Sequence, residues 1–155
     1  GGVDVVTGAG GPDSLSGGLG ADVFAYPSFS DSQFSSSAVT YDSISDFSVS
    51  QGDKIGLPQL PSAFYNLGVI TASSLSAALS SAYADCDRVT AGSQPLQSGQ
   101  AMLFVWGSTT LTRNPYLVVD NPNSSSTSDD LFLRIGGLSI SSLGTAPVSS
   151  VFTTI

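Results

Sequence analysis

Aspartates stand at Asp4, Asp13 and Asp22, nine residues apart, inside the glycine-rich opening of the chain. Two further columns keep the same interval. Gly2, Gly11 and Gly20 align, and so do the apolar Val6, Leu15 and Phe24. A flexible linker would not hold an apolar column in phase. Each unit therefore reads as a glycine turn, where φ > 0 carries no steric cost, followed by a three-residue strand with its central side chain turned inward. Two units complete one coil, so strands 18 residues apart stack at roughly 4.8 Å. Stacking brings Asp4 and Asp22 onto one edge among glycine carbonyls. Oxygen-only ligands at that spacing suit Ca²⁺, and stacked carboxylates repel without it, so binding and folding are expected to be coupled.

The 155 residues suffice for a domain with a real core, and 41% hydrophobic against 10% charged residues is a globular composition. The net charge is −8, and all twelve acidic residues are Asp, which favours turns and caps where Glu favours helices. The basic residues are Lys54, Arg88, Arg113 and Arg134, too few for the basic stripe of a nucleic-acid surface. There is no histidine, so a Ser-His-Asp triad is excluded and a catalytic zinc site lacks its usual ligands. The opening glycines have no G-K-[ST] lysine to serve a phosphate. No carboxylate pair stands out for glycoside hydrolysis, and no run approaches the roughly 18 apolar residues of a membrane span. The expectation is a non-enzymatic module that is not transmembrane, any catalysis lying elsewhere.

The nonapeptides "GAGGPDSLS" and "GGLGADVFA" resemble the G-G-x-G-x-D-x-U-x unit of RTX (repeats-in-toxin) parallel β-rolls. The second fits every defined position and the first departs at Ala9. Gly2, Asp4, Gly11, Asp13, Gly18, Gly20 and Asp22 are the calcium candidates. Asp31, nine beyond Asp22, extends the register without glycines, as a degenerate unit stacking over Asp13. The segment "YDSISDFSVSQGDKIGL" is similar to the segment after the last repeat in serralysin-type C-terminal domains. The resemblance implies that some of Asp42, Asp46 and Asp53 ligate a further Ca²⁺; ordinary strand-end and turn aspartates are the other reading. Gly56 stands where that family often has an aspartate.

Past a proline-bounded loop and a short strand "NLGVI", a helix is expected near 73–86. Leu75, Ala78, Leu79, Ala82, Tyr83 and Cys86 form its apolar stripe, and Ser73 or Ser74 its N-cap. Cys86 reads as a buried structural thiol. The segments 101–107, 116–120 and 131–138 read as strands, with Phe104, Trp106 and Tyr116 in the core or in cross-strand pairs. The polar loop with Asp120, Asn121, Asp129 and Asp130 is either a solvated connection or a further Ca²⁺ site. The stretch from "GADVFAY" to "LFLRIGGL" is similar to the bluetail-type domain of large secreted cyanobacterial RTX proteins.

The expected fold is mainly β. Residues 1–25 end a short parallel β-roll, and residues 26–155 form a β-sandwich-like capping and secretion part with one amphipathic helix. The tail 149–155, "SSVFTTI", resembles an uncleaved type I secretion signal; a last β-strand is the alternative. The resemblance implies a calcium-binding module of an extracellular, secreted or cell-surface protein, with calcium and the type I secretion apparatus as partners. Its other reading is a structural or adhesive module that self-associates or anchors to the cell envelope.

Overall fold

A computed structural model describes residues 1–107, 115–138 and 147–155; Arg113 lies outside them. The chain is mainly β, with two sheets and little helix. The first five strands are short: β1 (Val5–Val6), β2 (Ser14–Leu15), β3 (Val23–Ala25), β4 (Asp42–Ile44) and β5 (Lys54–Leu57). They go alternately to the two sheets, as a strand–turn repeat demands. Next come β6 (Phe64–Ile70), α1 (Leu75–Ala84), β7 (Ala101–Trp106), β8 (Pro115–Val119) and β9 (Leu131–Ile135). The short helix α2 (Val148–Val151) leads into β10 (Phe152–Thr154).

One sheet has the order β1-β3-β5-β10 with every pair parallel. The other has the order β2-β4-β9-β8-β7-β6. Its pairs are parallel except β9·β8 and β8·β7, which are antiparallel. The apolar column of the repeat becomes the spine of the core. Val6 pairs with Phe24, Phe24 with Ile55, and Ile55 with Phe152 in the first sheet. Leu15 pairs with Ile44, and Ile44 with Ile135, in the second. These side chains form one cluster between the sheets, with Val6 and Leu15 at its margin. The same core takes in Tyr26, Phe47 and Val151, so packing runs without a break across residue 25.

Strands β7, β8 and β9 are apolar almost continuously because both their faces are covered. Leu103, Leu117 and Leu133 face the inter-sheet core. Met102, Phe104, Tyr116, Val118 and Phe132 face a second core under α1, with Ala78, Leu79 and Ala82. Phe104 and Tyr116 are directly opposite across β7·β8, with their rings stacked 5.7 Å apart, a cross-strand pair as expected. Ser74 caps α1, accepting from the Ala77 amide at 3.1 Å.

The helix is shorter than its apolar stripe suggests. It stops at Ala84, and Asp85 is its C-cap. Cys86 lies beyond it, yet is 2% exposed within the second core, where its amide bonds the Gln94 carbonyl at 2.8 Å. Burial first, then the charges of Asp87 and Asp85, push its thiol pKa up, as befits an inert side chain. The tail is built into the first sheet: Phe152 is 2% exposed, and β10 lies parallel on β5. The Lys54 ammonium donates to the Ser149 carbonyl at the start of this tail.

Ala9 records where the repeat departs from glycine. Its φ of 62° makes it the one left-handed non-glycine residue among those described. A Cβ in that region costs about 1–2 kcal/mol. Ala9→Gly is expected to raise stability by about 1 kcal/mol after the entropy of a freer unfolded chain is subtracted, measured as a denaturant midpoint shift at fixed calcium.

Candidate metal centre

The aspartates of successive coils form two ladders. Asp22 Oδ1 accepts the Asp4 amide at 2.9 Å, and Asp53 Oδ1 accepts the Asp22 amide at 3.0 Å. In the other ladder Asp42 Oδ1 accepts the Asp13 amide at 2.9 Å. One oxygen of each upper carboxylate is therefore engaged in holding the strand beneath it. Strand geometry puts them there: in Asp13-Ser14-Leu15, Asp22-Val23-Phe24, Asp42-Ser43-Ile44 and Asp53-Lys54-Ile55 the acid sits two residues before an inward apolar side chain.

The second oxygens separate the acids by role. Asp53 accepts the Ser48 amide at Oδ2, 2.8 Å away, so both its oxygens are used. Asp46 is also used up, by the Ser16 hydroxyl (2.6 Å) and the Gly17 and Gly18 amides (3.1 and 2.8 Å). Burial opposes its ionised form, but those bonds win and hold its carboxyl below the usual range. The Asp31 carboxylate accepts the Ser28 amide in a capping box. Asp4 is exposed. By contrast, Asp13 Oδ2, Asp22 Oδ2 and Asp42 Oδ2 are buried from solvent and make no hydrogen bond. Asp22 and Asp42 are 0% exposed. A buried carboxylate oxygen with no partner is costly, and either a cation or a proton would offset that cost.

Each open oxygen lies against the first glycine of a nonapeptide. A Cβ on Gly8 would sit 2.9 Å from both Asp13 Oδ2 and Asp42 Oδ2, and a Cβ on Gly17 would overlap Asp22 Oδ2. Only glycine leaves that space free. Gly2, Gly11, Gly18 and Gly20 instead serve the turns, with φ of 154°, 106°, 87° and 129°. A Cβ on Gly20 would run into the Gly2 backbone. The Gly20 amide bonds Gln51 Oε1 at 3.1 Å.

The register differs from the interval of nine at one point. Asp42 takes the place over Asp13 in which Asp31 was expected, because Ser14 and Leu15 pair with Ser43 and Ile44. Residues 26–41 form an excursion whose first turn Asp31 caps. Ser32 ties the excursion down, accepting the Asp42 amide at 2.8 Å and donating to the Phe132 carbonyl at 2.5 Å. The triplet Asp-x-apolar, without its glycines, is the signal in the sequence that locates Asp42.

Among the described residues no three carboxylate or thiol side chains converge as a metal-binding group. The open carboxylates come singly or in a pair, so the remaining ligands of an ion here would be backbone carbonyls, hydroxyls and water, a set that suits Ca²⁺. The 120–130 loop is built otherwise. Asp130, 2% exposed, accepts the Tyr83 hydroxyl at 2.7 Å and the Asn121 amide at 3.0 Å. Asp120 takes the Gly99 amide at 2.8 Å, and Asp129 the Ser124 hydroxyl at 2.7 Å. These acids hold the loop to α1 and to the start of β7.

No family model matches the chain, and comparison with curated proteins finds no match. Among the described residues no helix is long and apolar enough to cross a membrane.

Proposed function

We propose that this chain is a calcium-dependent folding module: the closing coils of a calcium-binding β-roll with the C-terminal part that caps them. The observation that carries the reading is the trio of buried, unpartnered carboxylate oxygens on Asp13, Asp22 and Asp42, each against a glycine that leaves it room. Supporting it are the parallel coils 18 residues apart, Val5 on Val23 and Val6 on Phe24. Where calcium is scarce, the stacked acids keep the coils open and the chain can thread an export channel. Outside the cell the ion binds, the coils close, and a folded chain does not slide back. The module belongs on this reading to a secreted or cell-surface protein exported by a type I apparatus, and is not itself an enzyme.

Asp22→Asn keeps the acceptor for the Asp4 amide and removes the charge. It is expected to move the calcium midpoint of folding about tenfold higher, whereas Asp85→Asn leaves it in place. Equal midpoints in circular dichroism would count against the reading.

A second reading, a self-associating surface module, draws on one observation. At the β1 end of the stack Val3, Val5 and Leu19 are 77%, 71% and 73% exposed beside unpaired strand edges. A sedimenting species that stays monomeric at high calcium and high concentration would dismiss it.

A further inference from the structure

We propose that the Tyr26 hydroxyl is the neutral member of a calcium site whose charged members are Asp13 and Asp42. The inference rests on the calcium reading above and adds a residue that lies outside every position of the nonapeptide. Tyr26 follows β3 directly and is 1% exposed, its ring in the inter-sheet core. Phenylalanine would fill that core equally well. Its hydroxyl is nevertheless buried and stands beside the Asp42 carboxyl, close enough to interact with it but short of a well-formed hydrogen bond, with Asp13 close behind.

Asp13 Oδ2 and Asp42 Oδ2 thus stand open around one point, and the Tyr26 hydroxyl lies beside the Asp42 carboxyl. The two carboxylate oxygens are each 2.9 Å from the empty Cβ position of Gly8. They are therefore no further apart than twice that distance. One Ca²⁺ with contacts of about 2.3–2.6 Å can draw them together. Two carboxylates balance its charge, and a neutral hydroxyl adds an oxygen without adding repulsion. The further acid that faces the site, Asp31, keeps one oxygen on the Ser28 amide and contributes its field. The tyrosine reaches the site because the chain leaves the repeat here. The excursion 26–41 begins at Tyr26 and returns at Asp42, so both ends of the break meet over Asp13.

Calorimetric titration of the whole chain with Ca²⁺ tests this, with Asp42→Asn and Tyr26→Phe as variants. The wild type is expected to bind ions in more than one class. Asp42→Asn should lose one ion. Tyr26→Phe should keep the fold at saturating calcium, seen as an unchanged circular dichroism spectrum, while the affinity of that one ion falls about tenfold. If Tyr26→Phe titrates as the wild type does, the inference is overturned and the calcium reading stands. If Asp42→Asn keeps the full ion count, the site itself is overturned. A wild type that binds no calcium overturns the calcium reading instead. A Tyr26→Phe chain that loses structure even at saturating calcium assigns the hydroxyl to the fold, and also overturns the inference.

Discussion

Chelating calcium is expected to abolish most of the β signal of the chain in circular dichroism, and adding calcium back to restore it in one cooperative step. The size of the effect comes from burial. Asp22 and Asp42, each with one oxygen bare, are 0% exposed. Removing a charge's partner in such a place costs several kcal/mol per site, against a total stability of about 5–15 kcal/mol for a domain. The coils cannot fail alone. Phe24 and Ile44 share a core with Leu103, Leu117 and Leu133, so losing the stack exposes the long sheet as well. A spectrum indifferent to chelator would end the calcium reading. Acid should replace the ion in part. Burial, and then the charges of Asp13 and Asp31, raise the Asp42 pKa. A carboxyl raised in the folded state stabilises that state at low pH, and the contribution is lost as pH rises through its folded value. The chelated chain is therefore expected to regain order as pH falls from neutral toward the carboxylate range.

Phe152→Ala is expected to cost about 3–5 kcal/mol, the usual loss for a large buried aromatic, seen as a lower denaturant midpoint at saturating calcium. Phe152 closes the spine of the first sheet, paired with Ile55 and edge-on to Phe64 at 5.4 Å between ring centres. Losing it leaves a cavity between the sheets and weakens β10, which is paired on one side only. The outcome matters for the tail. On the proposed reading residues 149–155 act as an export signal, and within them Phe152–Thr154 form the last strand. A signal read from the extended chain and a strand needed afterwards make separable demands. Phe152→Ala should lower stability whether or not export changes. Unchanged stability would mean that β10 does not hold the sheet in solution.

The repeat was legible because its physics is local. A glycine turn, an acid and one inward side chain recur at a set interval, and the strand pairs Val5–Val23 and Val6–Phe24 arise from it directly. Strands β7, β8 and β9 were legible too, since both faces are buried and the apolar runs are unbroken. The end of α1 was not. Cys86 continues the stripe by spacing, but its burial comes from contact with Gln94 and the second core, not from helical periodicity. The place of Asp31 was missed for a related reason. Its interval obeys the repeat, yet the glycines that would turn the chain are absent, and a capped 3₁₀ turn takes over.

The sequence by itself determined the short parallel strands, the inward column and the acids beside it, because each depends on residues within one or two units. Only the tertiary structure decided which acids are occupied and which are open. Asp46 and Asp53 are filled by amides from the neighbouring turns, whereas Asp13, Asp22 and Asp42 keep an oxygen bare. It also decided that Asp13 and Asp42 face one glycine, and that Tyr26, at the other end of the excursion, lies beside Asp42. Hydrogen-bond saturation depends on which strands stack, and the stacking of β4 on β2 is set by the shared core, a contact that no interval along the chain records.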